Sequence, residues 1–235
     1  MSVLPTPPDL IVFDVDGTLH DAFRWWAPLI RRGLRRFAEL TGIEVLMPDD
    51  RAACAVVGMK DIGVWGPFLP ESHRHRWAEL RSVVLPMEVE ELHSGRDHLF
   101  PGVRELLVGL RAAGVRLALA SNCRQTYMDA QRFGQGLGAL TDAQFCLDSE
   151  GGMDKTGMLR AAVRTFAARR PVMVGDREPD LEAARAAGLP FIWRSNDRCD
   201  LSIEAEAVWS GDPDQFRALI GLRAGKDRAV SPPTE

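Results

Sequence analysis

The sequence predicts an α/β fold in which a parallel sheet carries helices on both faces and an α-helical segment is inserted into it. Three observations predict this. Five short apolar segments alternate with stretches of helical period; the segments lack the polar–apolar alternation of a half-exposed sheet; and one long interval is helical in period throughout.

The first apolar segment, residues 10–13, opens the series. About eighty residues then separate it from the next helix of the sheet, an interval rich in Trp and Arg without a strand pattern. Connections within a sheet are short, so this interval is expected to be an inserted cap at 21–94, leaving 1–20 and 95–225 as the core. After Pro101-Gly102, Val103, Leu106, Leu107 and Leu110 repeat at helical spacing until Gly114, which leads into a strand at 115–120. Further strands are expected at 145–147, 172–174 and 191–193. Helices are expected at 124–133, 156–168, 178–187 and 213–222, the third of these closed by Gly188-Leu189-Pro190. Residues 226–235 read as a flexible polar tail.

With 235 residues, 46% of them apolar, the chain can bury the core of one to two domains. Its 29 basic and 33 acidic residues leave a net charge of −4, so neither nucleic acid nor membrane is expected as a partner. No apolar run reaches the roughly 20 residues that span a bilayer. The first ten residues lack the basic and apolar regions of a signal peptide, so a cytoplasmic protein is expected. Cys54, Cys123, Cys146 and Cys199 are scattered without a C-x-x-C pair, which predicts reduced structural cysteines rather than a zinc site or a disulfide framework.

The strongest chemical signal is Phe13-Asp14-Val15-Asp16-Gly17-Thr18-Leu19, directly after the first strand. Two Asp at i and i+2 leaving a strand converge at its carboxyl end, where open α/β sheets bind ligands. Gly17 permits a sharp turn, and Thr18 offers a hydroxyl and a backbone donor. Ser121 and Asn122 follow the strand at 115–120, and Gly175, Asp176 and Asp180 follow the one at 172–174. Lys155 stands between them, one of only three lysines with Lys60 and Lys226. Carboxylate pairs, a hydroxyl and an ammonium at strand exits and helix starts form a metal-assisted phosphoryl-transfer constellation.

These residues resemble the motifs of the haloacid dehalogenase superfamily, in particular its phosphoglycolate phosphatase-like branch with a helical cap. Asp14, Asp16, Gly17 and Thr18 match the first motif, Ser121-Asn122 the second, Lys155 the third, and Gly175-Asp176 with Asp180 the fourth. The lead-in PGVRELLVGLRAAGVRLALASN is similar as well. The resemblance implies a Rossmann-like core and hydrolysis of a small phosphorylated metabolite. In it, Asp14 is the nucleophile, Asp16 the acid and base, and Ser121 and Lys155 assist catalysis. Gly17, Thr18, Ser121, Asn122 and Lys155 bind phosphate or substrate. Mg²⁺ is held by Asp14, the Asp16 backbone carbonyl and Asp176, and Asp180 orients Lys155.

Asp16 argues against the superfamily's dehalogenases and phosphonatases, which lack this second acid. The sugar-phosphate mutases use a histidine of the cap linker, and here Trp25-Trp26 occupy that neighbourhood, so a hydrolase is preferred. The alternatives are such a mutase or a catalytically silent binding protein of this fold. Two departures stand out: the third motif continues Lys155-Thr156-Gly157 where Lys-Pro is usual, and Arg177 follows Asp176 where a smaller residue is common. In the cap, Val57-Gly58-Met59-Lys60-Asp61 is the expected specificity loop, with Gly58 and Lys60 its candidate contacts. Trp25, Trp26, Trp65 and Phe68 are candidate pocket or cap-core residues. Gly134 to Gly138 follows a helix rather than a strand and is expected to be a connection, not a nucleotide loop. These motifs name neither the particular ester nor the oligomeric state.

Overall fold

A computed structural model of the chain describes residue 4, residues 6–196 and residues 203–222. Six strands of these residues form one parallel sheet: β1 (Leu10–Phe13), β2 (Arg116–Ala120), β3 (Ala143–Phe145), β4 (Pro171–Gly175), β5 (Phe191–Arg194) and β6 (Ala207–Trp209). Their order is β3-β2-β1-β4-β5-β6. The chain winds outward from β1 in one direction and returns to wind in the other, so the crevice between β1 and β4 is where strand order reverses. Ligands of such sheets sit outside the carboxyl ends of the strands at that point.

Successive strand residues feed opposite faces. Ile11, Phe13, Leu117, Leu119, Val172 and Val174 pack on one side with α5 (Val103–Ala112) and α10 (Pro213–Leu219). Leu10, Val12, Ala118, Ala120 and Met173 pack on the other with α8 (Lys155–Phe166) and α9 (Glu178–Ala187). Both faces are apolar because both are covered, which is why the strands show no alternation in sequence.

Two strands differ from expectation. The apolar run at 145–147 marks the end of β3 rather than the strand itself: beyond Phe145 the Cys146 N–H turns to the Ser149 hydroxyl at 2.9 Å. The half-buried Ala143 and Gln144 pair with β2 instead. The three-residue β6 was not expected. Both are edge strands, whose partial exposure dilutes the apolar signal. Downstream of α6 (Gln125–Gly134), a short helix α7 (Leu137–Leu140) stands where a plain connection was expected. The tail at 226–235 and Cys199 lie outside the described residues.

Between β1 and α5 the chain is helical: α1 (Trp26–Thr41), α2 (Asp50–Ala55), α3 (Ile62–Trp65) and α4 (Trp77–Leu92), with 3₁₀ turns between them. These helices share an apolar cluster of their own, including Trp26, Ile30, Leu34, Phe37, Leu80 and Val84. A Cβ at Gly33 would stand 2.6 Å from the Val84 side chain, so glycine sets the close approach of α1 to α4. No helix among the described residues is long and apolar enough to cross a membrane.

Candidate active site

Parallel pairing in register puts the ends of β1, β2 and β4 side by side. Asp14 follows β1, Ser121 follows β2 and Asp176 follows β4, so three distant parts of the sequence meet at one edge. The Asp14 N–H continues the ladder to the Val174 carbonyl at 2.8 Å. α8 brings Lys155, its first residue. The Asp154 side chain caps α8 by accepting from the Gly157 N–H at 2.7 Å.

Lys155, Asp14, Asp176 and Asp180 are all buried. Lys155 Nζ donates to Asp14 at 2.5 Å and also to Asp180. Burial opposes its charge, but Asp14 and Asp180 outweigh that and raise its pKa, so it stays an ammonium. Asp14 is pushed up to about 7, first by burial, with Lys155 pulling the other way. Asp176 is raised well above the usual carboxylate range by burial and then by the charge of Asp14. The Lys155 ammonium, with the Arg177 guanidinium 4.0 Å from Asp176, is less positive charge than three buried carboxylates carry.

That surplus bears on a metal. Oxygen atoms of Asp14, Asp176 and Asp180 lie within 4.8 Å of one another. Asp180 is already engaged, one oxygen with Lys155 and the other accepting from the Arg177 N–H at 3.1 Å. Asp176 differs: Oδ1 accepts from the Thr18 hydroxyl at 3.3 Å, while Oδ2 is buried without a hydrogen bond, its nearest cation being Arg177 Nε at 4.0 Å. Gly17 makes room for it, with φ of 90° and a hypothetical Cβ only 2.2 Å from that Oδ2. An orphaned carboxylate oxygen among hard donors with excess negative charge fits a divalent cation.

Asp16 points elsewhere, into a cavity of about 90 Å³ between cap and core. Three groups hold its Oδ1: His20 Nδ1 at 2.7 Å, the Tyr127 hydroxyl at 2.9 Å and the Gln131 amide at 3.4 Å. The His20 tautomer follows from its other side, where Trp25 Nε1–H donates to Nε2 at 3.3 Å. An indole nitrogen only donates, so Nε2 is the acceptor and a neutral His20 carries its proton on Nδ1, toward Asp16.

The expected site residues divide accordingly. Asp14, Gly17, Thr18, Lys155, Asp176 and Asp180 gather at the carboxyl end of the central strands, and Asp16 turns into the cavity. Ser121 and Asn122 line the cavity, and the Asn122 amide donates to the Gly58 carbonyl of the cap at 3.1 Å. Gly58 is in the wall; Lys60 is exposed and outside the lining. Arg177 reaches the cap, where its guanidinium donates to the Ala55 and Cys54 carbonyls at 2.9 and 3.0 Å, at the end of α2. Arg124 bridges Asp61 of the cap and Asp148 of the core at 2.8 and 2.7 Å.

Sequence reasoning missed His20, Tyr127, Gln131, Glu88 and Arg81. A linker histidine is present after all, four residues past Asp16 rather than at Trp25-Trp26. The one Tyr of the chain was a compositional signal that went unused.

Comparison with known proteins agrees with the fold. The model of haloacid dehalogenase-like hydrolases matches residues 8–188, and the chain belongs to that family. It is 31% identical over 240 residues to the tyrosine-protein kinase PtkA of Mycobacterium tuberculosis, covering 92% of this chain and 73% of that protein. Its fold is similar to a predicted phosphoglycolate phosphatase from Haemophilus somnus, with a TM-score of 0.74 at 17% identity over 91% of this chain and 98% of the other. It is also similar to CbbY from Rhodobacter sphaeroides, solved in complex with phosphate, with a TM-score of 0.64 at 22% identity over 87% of this chain and 94% of the other.

Proposed function

We propose that this chain is a Mg²⁺-dependent phosphatase that hydrolyses a small phosphomonoester through an aspartyl-phosphate on Asp14. One observation carries the reading: Asp14 is braced by Lys155 beside the orphaned oxygen of Asp176, while Asp16, two residues on, is aimed into the cavity. That separates a nucleophile from a proton-transfer group. We read residues 1–20 and 95–225 as the catalytic core and 21–94 as the cap.

In this reading an Asp14 carboxylate oxygen attacks phosphorus, and the bond to the leaving oxygen breaks as Asp16 gives that oxygen a proton. Water then attacks the aspartyl-phosphate and passes a proton back to Asp16, and the bond from phosphorus to Asp14 breaks to release phosphate. Lys155 offsets negative charge at the phosphoryl group, and Ser121 with the Asn122 backbone supplies hydrogen bonds. The Asp14 and Asp176 carboxylates and the Asp16 carbonyl would hold Mg²⁺, which supplies positive charge at the phosphoryl oxygens. Asp180, with both oxygens engaged, orients Lys155 instead. His20 is fully buried and outside the cavity lining, which places it behind Asp16 and disfavours the mutase alternative.

A second reading follows from the relative named a tyrosine-protein kinase, in which the phosphoryl group passes to a tyrosyl hydroxyl. Phosphate release from a panel of phosphomonoesters, with Mg²⁺ and with chelator, tests the first. Release that chelation abolishes is expected. No release from any ester, together with label transfer from ATP to a tyrosine-containing peptide, would establish the second in its place.

A further inference from the structure

The cavity at Asp16 has walls that its proton chemistry does not require. Three tryptophans, Trp25, Trp26 and Trp65, contribute to the lining, with Val57, Met59 and Leu85. A sugar or polyol would bring several hydroxyls here, and each one left unpaired on burial weakens binding. An aromatic ring loses nothing against such a wall and gains from its indoles.

α4 adds the polar content. Arg81, Leu85 and Glu88 follow one another at i, i+4 and i+7 on one helix face, and all three line the cavity. Glu88 is at the inner end, where it feels the charge of Asp16. Burial first, and then that charge, push it up to about 8, so at neutral pH it presents a neutral acid. Arg81 lies seven residues earlier, about 10 Å along the helix axis, on the side of Asp148, whose carboxyl it influences. Arg124 in the wall is already engaged, shared between Asp61 and Asp148. Arg81 is half-buried and makes no hydrogen bond or ion pair among the described residues. The cap side of the cavity is thus largely apolar and uncharged beside Asp16, and Arg81 stands at its far end with no hydrogen bond of its own among the described residues.

We propose that this cavity selects aryl phosphomonoesters whose ring carries an anionic group remote from the phosphate, the ring lying among the tryptophans and the anion meeting Arg81. This rests on the phosphatase reading only in placing the phosphoryl group at Asp14. We take the ligand to be a small molecule, in keeping with the ties between cap and core made by Arg124 with Asp61 and by Asn122 with Gly58.

The test uses two phosphonates that cannot be hydrolysed, benzylphosphonate and 4-carboxybenzylphosphonate, titrated into the whole protein with Mg²⁺ and read by calorimetry. The carboxylated ligand is expected to bind at least tenfold tighter, the worth of one charge-assisted hydrogen bond. Arg81→Gln should bring the two affinities within threefold of each other, and Arg81→Lys should keep part of the preference, with melting curves checking that both variants fold. Equal affinities in the wild-type protein, a preference that survives Arg81→Gln, or binding of neither phosphonate would overturn the proposal. If the preference appears but no ester is hydrolysed, the cavity proposal stands and the phosphatase reading fails.

Discussion

Core and cap hold their functional groups by different means. In the core, Asp14, Ser121 and Asp176 are set by strand register, and backbone ladders fix them to within one residue before any side chain is chosen. In the cap, helices present side chains to a cavity, and a handful of side-chain bonds hold the assembly shut: Arg177 on the last carbonyls of α2, Asn122 on Gly58, and Arg124 on Asp61. The Arg177 contact suits the negative end of a helix. Since Arg177 follows Asp176 directly, closure of the cap is tied to the residue expected to hold the metal. The proposed reaction chemistry thus sits where the backbone is stiff, and the proposed selectivity where a few side-chain bonds join cap to core.

Variants on each side should separate these roles. Asp14→Asn removes the proposed nucleophile and is expected to lower turnover by on the order of 10⁴-fold while circular dichroism stays native; near-normal turnover would mean the nucleophile lies elsewhere. Next in size, His20→Leu deprives Asp16 of its donor from the linker and should cost about 10- to 100-fold in kcat, most with poor leaving groups. His20→Asn, whose amide nitrogen can take the place of Nδ1, should recover much of this. A loss uniform across leaving groups, or no recovery with Asn, would reduce His20 to a packing residue.

On the cap side, Arg177→Ala should raise KM by roughly tenfold with kcat changed less than threefold, since two bonds to the end of α2 are lost while Asp176 loses only a distant 4.0 Å ion pair. A kcat loss larger than the KM rise would instead place Arg177 at the phosphoryl group. The smallest effect concerns stability. Glu88 has its folded-state pKa raised from 4.5 to about 8, so its favourable contribution is complete below pH 4.5 and is lost as pH rises through 8. Glu88→Gln removes that loss. The variant should melt about 3–6 °C above the wild-type protein at pH 8, the shift that ~1–2 kcal/mol makes in a chain of this size, and the gain should shrink at pH 5. A gain that is the same at both pH values would mean the carboxyl is not what burial penalises there.

The legible parts share a physical cause. β1, the Asp14-Asp16 pair and Lys155 at a helix start are written in contiguous residues, whose local geometry follows from strand and cap rules. The edge strands were harder, since half-exposed Ala143 and Gln144 carry little apolar signal. The brace behind Asp16 was hardest: Tyr127 meets Asp16 from 111 residues away, and nothing in the spacing of the two announces it.

By itself the sequence determined the parallel sheet, the helical insertion and the acidic and basic groups at the strand exits, because hydrophobic period and strand-end motifs act over a few neighbouring residues. Only the tertiary structure decided which oxygen of Asp176 is left orphaned, which nitrogen of His20 faces Asp16, and that Arg81 rather than Lys60 faces the cavity. Those outcomes depend on side chains from separate elements competing for the same hydrogen bonds and the same space, and that competition is settled only when the cap packs onto the sheet.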